Sequence, residues 1–199
     1  MFGETAGKRA NRHCNLVFIC TNKTLAAFRL VKELWPQPQD WLSALYIILP
    51  TYCANGAPVI FGGGPTIDLG RTLPDGQRIL GDNKTFRGLI SGIVAGTLVG
   101  LIFSYIFSRN LMPIALPASI GALLGDMAAA FLKRRLHIRP GGALPIVDQL
   151  DFVVGSMLLV SLFSSISVVV ALILLVVTPP IHFLTNVGAY LLGLKENYW

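Results

Sequence analysis

The chain has 199 residues, of which 53% are hydrophobic and 13% charged, with a mean hydropathy of +0.64. Soluble domains carry about 25% charged residues, so the composition excludes a soluble globular protein and indicates an integral membrane protein built as one bundle, without a separate soluble domain. The net charge of +6 fits an anionic partner, a lipid headgroup or a nucleotide or both; nucleic acid fits poorly, because the cations are divided among short loops between apolar runs.

Residues 1–40 contain Lys8, Arg9, Arg12, Lys23, Arg29 and Lys32, which interrupt every apolar run. Leu16 to Cys20 is too short for a secretory core. This segment is expected to be a surface or poorly ordered arm, or an overlong start to a protein that begins near Trp35. Residues 41–199 form the expected membrane-embedded domain. Cys14, Cys20 and Cys53 have neither metal-ligand nor disulfide-framework spacing and read as idle thiols.

Trp41 to Ile67 carries no formal charge, which places span 1 at about Trp41–Phe61, with Trp35 and Trp41 at the interface. Pro50, Asn55, Gly56 and Pro58 predict a bent or partly unwound far end. A polar loop follows over 62–87, with Gly62-Gly63-Gly64-Pro65 and Pro74-Asp75-Gly76 as turn chemistry. Span 2 is expected at about Gly88–Phe107. Gly88, Gly92, Gly96 and Gly100 recur every four residues, which makes one helix face a small-residue packing seam. After a turn over Arg109–Pro113, span 3 runs from about Leu111 to Leu132, followed by a basic loop over 133–147. Phe152 to Leu194 lacks Asp, Glu, Lys and Arg, enough for two spans divided near Ser164–Ser167. The expected fold is an all-α integral membrane bundle of about five transmembrane helices with cytoplasmic catalytic loops; four spans is the alternative. Spans 2 and 3 form a hairpin, so loops 62–87 and 133–147 share a side, and their basic character assigns it to the cytoplasm with the N-terminus outside. The cations of residues 1–40 oppose that assignment.

Asp126 is the most informative residue. From Gly88 to Leu132 only Arg109 and Asp126 are charged, and a carboxylate inside a span costs on the order of 3 kcal/mol unless it faces a cation or water. Asp148 and Asp151, three residues apart, share a helix face at the start of span 4. Three hard oxygen donors beside Lys133-Arg134-Arg135 point to Mg2+ and phosphates, against a plainer reading in which the aspartates only pair with those cations and the cations only set topology. Lys84 and Arg87 stand at the start of span 2, where a helix N-terminus also attracts anions, and Asp82 or Asn83 is expected as its N-cap. Gly62, Gly63 and Gly64 could cradle phosphate or simply turn the chain.

These residues carry a family resemblance. Gly125-Asp126, Lys133-Arg134, Pro140-Gly141 and Asp148-x-x-Asp151 resemble the signature of the CDP-diacylglycerol synthase cytidylyltransferases. The upstream text LPTYCANGAPVIFGGGPTIDLGRTLPDGQRILGDNKTFRG is similar to their archaeal branch, the CDP-archaeol synthases. The resemblance covers roughly residues 45–195. The bacterial and eukaryotic pattern has an Asp directly after Lys-Arg, where this chain has Arg135. It implies transfer of CMP from CTP to 2,3-bis-O-(geranylgeranyl)-sn-glycerol 1-phosphate with release of pyrophosphate, in archaeal membrane phospholipid synthesis. It implies Mg2+ on Asp126, Asp148 and Asp151, and phosphate contacts from Lys133, Arg134 and Arg139. Asp82, Asn83, Lys84 and Arg87 are the candidates for CTP binding. Asp68, Asp82 and Asn83 supply the polar groups that could read a cytosine edge. The same chemistry on ester lipids and, in another class, a small membrane transporter are the rival readings. Nothing in the sequence sets the oligomeric state.

Overall fold

A computed structural model describes residues 33–138, 142, 144 and 146–194; the arm expected over the first part of the chain lies outside the described residues up to residue 32. Five helices follow in order: α1 Pro38–Phe61, α2 Phe86–Ile106, α3 Met112–Arg135, α4 Val147–Val160 and α5 Val168–Leu191. Four of them are long and apolar enough to cross a membrane. The fourth, α4, has 14 residues, about 21 Å of helix at 1.5 Å per residue, short of a full hydrocarbon core. The chain is a multi-pass membrane protein with an all-α bundle.

Each expected span has its helix, with informative differences at the ends. The partial unwinding expected at the far end of α1 is absent: the helix is continuous through Pro50 and Pro58 to Phe61. Pro58 leaves the carbonyl of Ala54 without its helical donor. The backbone of Gly92 lies against that oxygen, so that a Cβ there would approach it to 2.6 Å. The N-cap of α2 is Thr85, whose Oγ1 accepts from Gly88 N at 3.1 Å, and not Asp82 or Asn83. Those two lie in the turn before the cap. The break between α4 and α5 falls over 161–167, with Ser167 capping α5. The basic run expected in a loop instead forms the last turn of α3, where three cations complement the negative end of the helix dipole.

Small residues set the helix spacing. Gly88, Gly92, Gly96 and Gly100 are the buried residues of α2, as the four-residue period predicts. A Cβ on Gly96 would run into Ser119 of α3 and lie 2.6 Å from the Pro50 carbonyl of α1. The seam therefore seats α2 against both neighbours. α3 and α4 meet still more closely, because Gly121, Gly125 and Gly155 place backbone on backbone, with Gly155 against the Cα of Gly125. Ser156 Oγ donates to the Ala118 carbonyl at 2.7 Å and lies 2.9 Å from Thr51 Oγ1, a buried polar contact of the kind that substitutes for hydrophobic drive between helices in lipid. Around it pack Phe152, Val153, Val160, Leu174 and Ile47.

Gly96→Leu is expected to lower bundle stability by about 1–3 kcal/mol or more, the usual cost of overpacking. Gly56→Ala, where no atom lies within 4 Å of the added carbon, should be neutral or stabilising. Thermal unfolding of the two variants in detergent checks the contrast.

Candidate functional site

The close crossing of α3 and α4 brings the acidic residues together. Residue 118 faces 156, 121 faces 155 and 125 faces 151, so the helices are antiparallel and Asp126 stands beside the first turns of α4. Asp151 is close enough to Asp126, Asp148 and Lys84 to feel the charge of each. Asp126 pairs with Lys84 through Oδ2. Asp148 accepts from Lys133 Nζ at 2.5 Å and from Leu144 N at 2.9 Å, and the same Nζ donates to the Gly142 carbonyl at 3.1 Å. Asp151 makes no ion pair among the described residues; its Oδ1 accepts from Phe152 N. The counter-charge expected for Asp126 is thus supplied by the loop before α2, and not by the basic turn of α3.

Asp126, Asp148 and Asp151 offer hard oxygen donors, the chemistry a Mg2+ site needs. Among the described residues no group of three carboxylate, imidazole or thiol side chains is gathered closely enough to hold a metal ion; Asp126 and Asp148 are each paired with a lysine. Arg134 is buried, and its Nε has no hydrogen-bond partner among the described residues; the backbone of Gly81 lies over it. Arg139 lies outside the described residues.

The loop over 62–85 is ordered by its own ion pairs. Pro74-Asp75-Gly76 turns a short hairpin, closed by Leu73 N to Gln77 O at 2.9 Å and Ile79 N to Arg71 O at 3.2 Å. Arg78 donates from Nη2 and Nε to the two oxygens of Asp68, at 2.6 and 3.2 Å. The amides of Gly70, Leu80 and Gly81 also donate to Asp68, whose side chain is 0% exposed. Asp68 is therefore a loop organiser with its acceptors filled, which leaves nothing for a base edge. Arg78 first, then the backbone amides, hold its carboxyl well below the usual carboxylate range. Asp82 is exposed and accepts from Arg78 Nη1 at 2.7 Å. Asn83 and Arg87 are exposed and without a partner among the described residues. Gly63 and Gly64 adopt φ of +99° and +79°, the left-handed region that favours glycine; the glycine run is here a turn between α1 and the loop. Ile67 N to Lys84 O at 2.8 Å ties both ends of the loop together.

A small open cleft lies where this loop meets the helices. Its polar end is Asn83, Lys84, Thr85 and Asp126, and its apolar wall is Pro58, Leu89, Leu123 and Met127. Arg78 is an ordering residue that sequence reasoning left without a role, and Arg135, read from sequence as part of a phosphate-facing basic run, instead holds the 75–78 turn. Pro-Asp-Gly gave away the turn, but nothing local gave away the partners across it.

A profile of the family described as CarS-like, CDP-archaeol synthase, matches residues 40–199. The chain belongs to the CDP-archaeol synthase family. A CDP-archaeol synthase of Thermofilum pendens is 45% identical over 173 residues, covering 82% of this chain and 83% of its own length. One of Methanothermobacter thermautotrophicus is 49% identical over 162 residues, covering 80% and 95%. A solved structure described as an intramembrane enzyme for archaeal membrane lipids biosynthesis shares the fold at a TM-score of 0.69 and 37% identity, over 73% of this chain and 94% of its own. The likeness to CDP-archaeol synthases read from residues 45–195 is borne out.

Because the folded-state acidity of Asp68 is raised, its hold on the loop is complete above the ordinary carboxylate pKa of about 4 and is lost as pH falls through its own, lower value. Hydrogen exchange at the Leu80 and Gly81 amides should stay slow at pH 5. It should become fast at that pH in Asp68→Asn but not in Asp82→Ala, whose exposed ion pair contributes little.

Proposed function

We propose that this chain transfers CMP from CTP to the phosphate of 2,3-bis-O-(geranylgeranyl)-sn-glycerol 1-phosphate. A phosphate oxygen of the lipid attacks the α-phosphorus of CTP, the bond to the bridging αβ oxygen breaks, and pyrophosphate leaves as CDP-archaeol forms. Family membership supports the reaction. The observation that carries the site is the gathering of Asp126, Asp148 and Asp151 with Lys84 and Lys133 at one end of a membrane bundle.

The lipid phosphate already bears its nucleophilic oxyanion, so catalysis is positioning and charge neutralisation. Asp126, Asp148 and Asp151 would hold Mg2+, whose chemistry there is to neutralise charge on the triphosphate. Lys133 and Arg134 take phosphate oxygens, Arg134 with a guanidinium already desolvated under Gly81. Lys84 and Arg87 serve the phosphates from the opposite loop, and exposed Asn83, with an amide that both donates and accepts, reads the base. The apolar wall of the cleft keeps the first carbons of the lipid beside Lys84.

Arg135 reaches the turn at 75–78 and Lys84 reaches Asp126, so the loops on either side of the α2–α3 hairpin share one end of the bundle. Their basic character assigns that end to the cytoplasm. An impermeant thiol reagent on intact cells should leave cysteines placed at Gly76 and His137 unlabelled; labelling of both inverts the orientation.

Purified protein given CTP, Mg2+ and the ether lipid phosphate should release pyrophosphate and stop when EDTA is added. Asp126→Asn, Asp148→Asn and Asp151→Asn should each lose roughly a hundredfold or more in turnover while the protein still folds. If two of the three retain most of it, the metal assignment is wrong. An ester-linked lipid phosphate run in parallel reads chain-linkage preference. Absence of CTP-dependent pyrophosphate release with either lipid would remove the cytidylyltransferase reading in favour of transport.

A further inference from the structure

Arg135 is the third cation of a run whose first member pairs with Asp148 of the site. Its guanidinium goes elsewhere. It lies over the Phe131 ring at 5.3 Å from the centroid. Nη2 donates to the Arg78 carbonyl at 2.7 Å and the Gln77 carbonyl at 3.3 Å, and Nη1 pairs with Asp75. All three polar contacts fall on the tip of one hairpin, 71–79. From the same hairpin the Arg78 side chain fastens Asp68, Asp82 and Thr66. Two residues beyond Asp82, Lys84 pairs with Asp126. The hairpin is therefore fixed at one end to α3 and leads, at the other, to the lysine that meets the half-buried carboxylate of Asp126.

We infer that Arg135 is a positioning residue, which straps the 71–79 hairpin to the end of α3 and thereby holds Lys84 and Asn83 in register with Asp126. This rests on the cytidylyltransferase reading above for what the register serves. The planar guanidinium is what the task requires, since one group must satisfy two carbonyls and a carboxylate while stacking on a ring. A lysine supplies a point charge and cannot hold that set. With the strap cut, CTP itself must order the hairpin when it binds, and that ordering subtracts from binding. The loss falls on KM for CTP, and saturating CTP restores most of kcat.

The test uses the full chain in detergent or nanodiscs, with CTP and lipid phosphate titrated separately. Arg135→Ala should raise KM for CTP on the order of tenfold with a much smaller change in kcat, and Arg135→Lys should recover only part of it. Asp75→Ala, at an exposed position, should shift KM in the same direction. The double variant should be no worse than Arg135→Ala alone, because both cut one link. Trypsin should cleave after Arg71 or Arg78 faster in all of these variants, at unchanged bundle melting temperature. The inference is overturned if Asp75→Ala keeps the parent KM and loop protection. It is also overturned if Arg135→Ala loses kcat as Lys133→Ala does, since that marks direct contact with the reacting phosphates. Should Arg135→Ala fail to fold, Asp75→Ala alone decides. If the parent protein releases no pyrophosphate, the reaction assignment fails, while the protease comparison still judges the strap.

Discussion

A carboxylate inside an apolar helix must find a counter-charge or water, and Asp126 imposes that requirement on the rest of the molecule. It lies nine residues before the end of α3, roughly 13 Å along the axis, too deep for its own helix's basic turn to serve it. The cation comes from another element, Lys84, at the turn before α2. For Lys84 to reach it, α2 must lie tight against α1 and α3, which the glycine seam permits. The turn that carries Lys84 must also be folded back over the bundle end, which the Asp68–Arg78 centre and the Arg135 strap accomplish.

The same economy explains α4. Gly121, Gly125 and Gly155 let its backbone touch that of α3, and this contact sets Asp151 beside Asp126. Lys133 and Asp148 then close the junction at the helix ends. A larger residue at Gly125 would push Asp151 out of reach of Asp126 before it disturbed any other part of the site. Helix packing and site geometry are one constraint here, since the glycines that permit the crossing are one to five positions from the aspartates that carry the charge.

Much of this is legible in the sequence because lipid leaves few options. Long uncharged runs must be helices with satisfied backbones, so the helix order and the approximate ends could be read directly. The four-residue glycine period could be read as a seam, and the isolated aspartate as a residue in need of a counter-charge. What could not be read is pairing across distance. Asp68 looks like any loop carboxylate until Arg78, ten residues on, closes around it. The run at 133–135 looks like one basic flank, yet Lys133 pairs with Asp148, Arg134 is buried beside the turn at Gly81, and Arg135 reaches a hairpin tip. Continuous helix through Pro50 and Pro58 was equally hidden, because it depends on what packs against the freed carbonyl rather than on the prolines themselves.

The cations divide by chemistry as well as by place. Each carboxylate of the site that forms an ion pair is paired with a lysine, Asp126 with Lys84 and Asp148 with Lys133. The carboxylates and carbonyls of the loop are held by the arginines Arg78 and Arg135. A lysine is a compact, strongly hydrated charge on a flexible stem, and an arginine is a planar fork that binds several acceptors at once. Exchanging an aspartate for a phosphate oxygen asks a lysine only to turn its stem, and the fold is untouched. The same exchange at Arg78 would break two carboxylate bonds and free the loop. The pairs at the site are thus those that can be exchanged at low cost, and the pairs in the loop are those that cannot. Under the proposed cytidylyl transfer, this arrangement would admit phosphates to the acidic centre while keeping the walls around that centre in place.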